Sequence, residues 1–168
     1  MHRVEVRLKS HLSDSRGLSL VRDIYDLGIT TVSNVRVVDI YWLDADLTPE
    51  ELDLICHRLL ADPVTQDYRC EPSPSDESGI SSGYHTVEVT YNAGVADPVE
   101  DTIMKAMRDL GMEDINGVKT AKRYLIQGQL SARQLETICS RLLVNPIIQH
   151  IVKPEQPIFS QNPQYGFM

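Results

Sequence analysis

The residues best equipped for chemistry in this 168-residue chain are five histidines, three cysteines and a run of carboxylates. Proton transfer, nucleophilic attack or metal binding would need such groups converged in one cleft. Their spacing does not converge them. His2 and His85 stand at equivalent places at the edge of two strand patterns, and His11, His57 and His150 have no counterparts. No HExxH, CxxC, GxSxG or paired-carboxylate motif occurs. Cys56 and Cys139 are also equivalent and fall in apolar helical patterns, which favours buried thiols over reactive or metal-bound ones; Cys70 is unmatched. The run Asp44, Asp46, Glu50, Glu51 and Asp53 could attract a divalent cation, but it covers a loop and the first turn of a helix, where negative charge is favourable in itself. No glycine pattern of the phosphate-cradling kind is present. The expectation is a chain with no catalytic, cofactor-binding or metal-binding residues of its own.

Charged and aromatic residues suited to recognition are easier to find. Arg58 and Arg141 each sit between apolar positions of a helix, where the stem can cover apolar surface while the guanidinium reaches a carboxylate or carbonyl, or contacts a partner. Lys119, Lys122 and Arg123 give one strand a basic, wetter face. Ile158, Phe159, Tyr165 and Phe167 punctuate a Pro/Gln/Asn-rich tail without periodicity. That tail reads as an arm folded over its own domain, as a docking arm, or as the start of a connection to a further domain. The candidate partner interface is therefore Lys119, Lys122, Arg123, Arg58, Arg141, Phe159, Tyr165 and Phe167.

The frame that positions these residues is a duplication. Offsetting the sequence by 83 residues aligns 2–68 with 85–151 without a gap, with 19 of 67 positions identical. Chance does not give that register. The chain divides into repeat 1 (1–71), a polar linker (72–83), repeat 2 (84–153) and a C-terminal arm (154–168). Units of this size are near the lower limit for independent stability, so each copy is expected to lean on its sibling.

Each copy reads strand, helix, strand, helix, strand. Val4, Val6 and Leu8 alternate with Glu5, Arg7 and Lys9, predicting a strand with one wet face. Asp14 and Asp97 are the N-caps of the first helices, with Pro98 at N1 and Glu100 expected to close the cap at N3. The buried positions expected next are Leu18, Val21, Ile24 and Tyr25 in copy one and Ile103, Met104, Met107 and Leu110 in copy two. Gly28 and Gly111 stop these helices. The following strand carries apolar residues on both faces in copy one, Val35, Val37, Tyr41 and Leu43 against Val38, Ile40 and Trp42, so it is covered twice or shared between units. Thr48 with Glu51, and Ser131 with Gln134, form capping boxes for the second helices, which bury Leu52, Ile55, Cys56, Leu59 and Leu60 in copy one. These end at Asp62-Pro63 and Asn145-Pro146, before short strands over 64–68 and 147–151.

The formal net charge of −8 is uneven, with 8 Lys+Arg against 15 Asp+Glu in residues 1–82 and 8 against 9 in the remainder. No basic footprint for a phosphate backbone exists, which argues against nucleic acid as a partner. No apolar run reaches the roughly 20 residues that span a bilayer, and the opening Met1-His2-Arg3-Val4-Glu5 enters a strand directly. A soluble, cytoplasmic protein without a membrane partner is expected.

The co-linear pattern Asp97-Pro98, Leu110-Gly111, Val118-Lys119 and Cys139-Ser140-Arg141-Leu142-Leu143-Val144-Asn145-Pro146 resembles the PurS family. Copy one answers with Asp14-Ser15, Leu27-Gly28, Val35-Arg36 and Cys56-His57-Arg58-Leu59-Leu60-Ala61-Asp62-Pro63. Ser15 and Asp62 depart from the family's Pro and Asn. The resemblance implies an α+β fold of two tandem βαβαβ units, ferredoxin-like and two-layered, packed as a pseudo-dimer. It further implies a non-catalytic accessory subunit of phosphoribosylformylglycinamidine synthase, in purine biosynthesis. Such a subunit would bridge a PurL-type ATP-dependent synthetase and a PurQ-type glutaminase and support ammonia transfer between them, with self-association as a further expectation. Two other classes keep the fold: a tandem regulatory module with a small-molecule effector site between the repeats, and an enzyme built on the same scaffold.

Overall fold

In a computed structural model of the chain, residues 2–70, 84–92 and 94–152 are described. The expected linker at 72–83 and the arm at 154–168 lie outside them. The elements are β1 (His2–Leu8), α1 (Ser15–Asp26), β2 (Val32–Ala45), α2 (Pro49–Ile55), β3 (Gln66–Cys70), β4 (Tyr84–Tyr91), α3 (Pro98–Asp109), β5 (Ile115–Gly128), α4 (Ala132–Ile138) and β6 (Gln149–Ile151). This is an α+β fold with the strand-helix-strand-helix-strand unit present twice.

The compact units divide the chain differently from the sequence repeats. Among the described residues one comprises 2–12, 38–70 and 97–120; the other comprises 13–37, 84–92, 94–96 and 121–152. The length of β2 and β5 is the reason. Each runs 14 residues, which at about 3.3 Å per residue is too long for one small unit. The two halves of each strand therefore serve different units, and the first helix of each copy enters the unit dominated by the other copy. Val38, Ile40 and Trp42 are buried as well as Val35, Val37 and Leu43, which accounts for the two apolar faces of β2.

In the first unit the strand order is β3-β1-β2-β5, with β1 antiparallel to both β2 and β3. Its core joins Val4, Val6, Leu43, Leu52, Ile55, Cys56 and Leu60 to Ile103, Met107, Met112 and Val118 from α3, the loop after it and β5. In the second the order is β2-β5-β4-β6, with β4 antiparallel to β5 and β6. Ile24, Ile29, Val32 and Val35 there join Val87, Val89, Ile126, Ile138, Cys139 and Leu143. Each core is thus built from both repeats.

Asp14 shows how a single side chain ties a helix start to a strand. One carboxylate oxygen accepts from Gly17 N at 3.1 Å and the other from Val37 N at 2.8 Å. Asp97 repeats the device, accepting from Val99 N at 3.0 Å and from the Thr120 hydroxyl. Glu100 does not close this cap as expected. It pairs instead with Lys119 Nζ at 3.3 Å, which is the stronger partner for a carboxylate. Gly17 is obligatory for packing: a Cβ there would lie 1.7 Å from Val35 O, so only glycine lets α1 approach β2 this closely.

Both first helices end in the Schellman arrangement. Gly28, at φ 88°, donates to Tyr25 O and Ile29 donates back to Ile24 O; Gly111, at φ 92°, donates to Arg108 O and Met112 to Met107 O. Within α1 the expected burial is corrected. Leu18 and Tyr25 are 52% and 64% exposed, and the inward positions are Gly17, Ile24, Leu20 and Val21. Close approach at Gly17 turns the helix so that the apolar residues one step further round face out.

The capping boxes form as predicted: Thr48 Oγ1 accepts from Glu51 N at 3.1 Å while Thr48 N donates to Glu51 Oε1, and Ser131 and Gln134 repeat both bonds. Beyond α2 and α4 the chain widens into a π turn, Cys56–Leu60 and Cys139–Leu143, closed by Ala61 N to Cys56 O and Val144 N to Cys139 O. The widening keeps Leu60 and Leu143 buried and leaves Leu59 and Leu142 only half-buried. The wet face expected of β1 is also corrected at Glu5. Its side chain is 1% exposed and clamped by Arg3 at 3.5 Å and Arg7 at 3.0 Å.

Candidate interaction surface

The basic strand does not present one face. Lys122 is exposed, but its neighbour Arg123 points to the opposite side of β5, is 7% exposed and meets Glu88 Oε1 at 3.1 Å. A period of two makes that outcome unavoidable for adjacent residues in a strand. Arg123 is therefore removed from the candidate contact residues. Lys119 is half-buried against Glu100. Arg58 and Arg141 are both exposed, and among the described residues neither has an ion-pair partner, so the expected pairing to a nearby carboxylate is absent there. Phe159, Tyr165 and Phe167 lie outside the described residues.

Two open pockets at equivalent places reveal an asymmetry that the linear sequence conceals. In the first unit, the start of α2 and the loop after Gly111 enclose about 430 Å³ lined by Asp46, Glu51, Glu113 and Asp114 with Thr48 and Met112. In the second, the start of α4 and the loop after Gly28 enclose about 380 Å³ lined by Arg133, Gln134, Ser131 and Thr137 with Leu27 and Ile29. One pocket is acidic and its counterpart carries an arginine and no carboxylate. The acidic run read from sequence thus gains Glu113 and Asp114 from the other repeat, about 65 residues further along the chain.

Exposed apolar residues were the signal that sequence reasoning missed. Val64 and Ile147, equivalent by the 83-residue offset, are 77% and 83% exposed. Each is held at a loop tip by the preceding motif: Asp62 Oδ1 accepts from Val64 N at 2.9 Å and Asn145 Oδ1 from Ile147 N at 3.1 Å. Gln66 and Gln149 brace the same turns by accepting from Asp62 N and Asn145 N. The identical Gln and the apolar residue after proline could have been noticed in both copies. Leu18 and Tyr25 on α1 add exposed apolar area, where α3 has Asp101 and Arg108.

The histidines remain dispersed. His11 and His57 are exposed, His2 and His85 half-buried, and His150 Nδ1 lies 2.8 Å from Asn92 Oδ1, with burial pushing its pKa below 6.5. Among the described residues no group of three or more His, Cys, Asp or Glu side chains is placed to hold a metal ion. No helix among them is long and apolar enough to cross a membrane.

A strand-helix-strand-helix-strand unit built twice, with each core drawing on both repeats, defines a duplicated α+β protein. Residues 1–74 and again 84–153 match the PurS family, described as phosphoribosylformylglycinamidine (FGAM) synthase, and the chain belongs to that family. The PurS subunit of phosphoribosylformylglycinamidine synthase from Archaeoglobus fulgidus is 34% identical over 68 residues, covering 38% of this chain and 85% of that one. The solved PurS of B. subtilis is 26% identical, covers 42% of this chain and 96% of its own, and superposes with a TM-score of 0.38. PurS of Methanocaldococcus jannaschii, a subunit of formylglycinamide ribonucleotide amidotransferase in the purine biosynthetic pathway, is also 26% identical, covering 42% and 94%, with a TM-score of 0.36.

Proposed function

We propose that the chain is a non-catalytic accessory component of phosphoribosylformylglycinamidine synthase, in which the two repeats take the places of two single-copy subunits. It holds a PurL-type synthetase and a PurQ-type glutaminase together and supports the passage of ammonia from one to the other. The observation that carries this reading is the double match to the PurS family, once in each repeat.

The surface asymmetry supports distinct neighbours for the two halves. A partner that docks on a tandem must tell its halves apart, and opposite local charge does so by favouring one orientation and opposing the other. Carboxylates at Asp46, Glu51, Glu113 and Asp114 stand where the counterpart pocket has Arg133. Lys122, Arg58 and Arg141, with the apolar tips Val64 and Ile147, are the exposed contacts of this proposal. Co-purification with the synthetase and glutaminase tests it: a complex containing all three is expected, and elution of this chain alone would refute the role.

A further inference from the structure

Cys56 Sγ and Cys70 Sγ lie 3.3 Å apart, although they are 14 residues apart in sequence. Cys56 opens the π turn after α2 and is fully buried, while Cys70 ends β3 and is exposed. The turn's wider backbone and the pairing of Cys70 opposite Val4 bring the two sulfurs together. The second repeat has no such pair: Cys139 matches Cys56, but the residue matching Cys70 is Lys153. The sulfur pair is therefore a property of the first copy alone.

We propose that Cys56 and Cys70 form a reversible disulfide when the protein meets a peroxide. Cys70, open to solvent, attacks one peroxide oxygen; the O–O bond breaks, Cys70 becomes a sulfenic acid, and the departing hydroxide leaves as water with the thiol proton. Cys56 then attacks the Cys70 sulfur, the S–O bond breaks, and the second hydroxide takes the Cys56 proton. Two thiols and one hydrogen peroxide thus give one disulfide and two waters. The sulfurs need to close to about 2.05 Å. Burial pushes the Cys56 thiol's pKa up, which leaves the exposed Cys70 as the thiol that meets peroxide first. The bond ties the edge strand β3 to the end of the second helix, and a thiol reductant releases it.

The test uses the full chain treated with hydrogen peroxide, then denatured and titrated for free thiols. The count falls from three to one and returns to three with dithiothreitol. Trypsin cuts at Arg58 and Arg69, between the two cysteines, so the unreduced digest contains a linked pair of peptides lighter by two hydrogens. Cys139→Ser goes from two thiols to none, and Cys70→Ser, at an exposed site, keeps two and yields no linked pair. Three thiols remaining after peroxide, over-oxidation confined to Cys70, or linkage between chains would each overturn the proposal.

Discussion

Arg123 Nη2 lies 3.1 Å from Glu88 Oε1, with the two side chains 9% and 11% exposed, directly opposite one another across β5 and β4. A buried pair of this kind is costly to break because the survivor keeps its charge without compensation. Arg123→Glu is expected to destabilise the protein by about 3–5 kcal/mol, measured by urea unfolding. A loss under 1 kcal/mol would mean that the pair is effectively solvated.

Lys122, one residue away, should behave in the opposite manner. Because it is exposed, Lys122→Glu is expected to change stability by less than about 0.5 kcal/mol. Under the proposed role, it weakens assembly with the synthetase and glutaminase in gel filtration. An unchanged elution profile would remove this residue from the partner surface.

The two glycines of α1 separate packing from backbone conformation. Gly17→Ala drives a Cβ to 1.7 Å from Val35 O and should cost about 3 kcal/mol or more by overpacking. Gly28→Ala meets nothing within 4 Å but must hold φ 88°, costing about 1–2 kcal/mol. Chemical denaturation of both variants checks the order, and a larger loss at Gly28 would contradict it.

His150 makes stability depend on pH. Its folded pKa lies below 6.5 because of burial, so at higher pH both folded and unfolded forms are neutral. As pH falls below 6.5 the unfolded chain takes up the proton first, and stability is lost through the folded pKa. The native protein should therefore lose more stability than His150→Gln between pH 7.5 and 5.5. Equal losses in the two proteins would show that His150 does not set the dependence.

The scaffold was legible in the sequence wherever a local signal decides the local structure. Capping boxes, the Asp14 and Asp97 caps and the Leu-Gly stops depend on residues within a few positions of one another, and all formed. Positions decided by distant chain were not legible. Nothing near Gly17 announces that Val35 O will press against it, so the inward face of α1 was misread at Leu18 and Tyr25. Arg123 looked like surface beside Lys122 because linear proximity hides the alternation of a strand. The acidic pocket draws carboxylates from both repeats, and no window of sequence contains it.

The central claim, an accessory role in a glutamine-dependent synthase, is most directly tested by reconstituting turnover from the synthetase and glutaminase with and without this chain. Glutamine-dependent product formation should require the chain, while formation driven by added ammonia should proceed without it. Equal glutamine-dependent rates in its presence and absence would contradict the account.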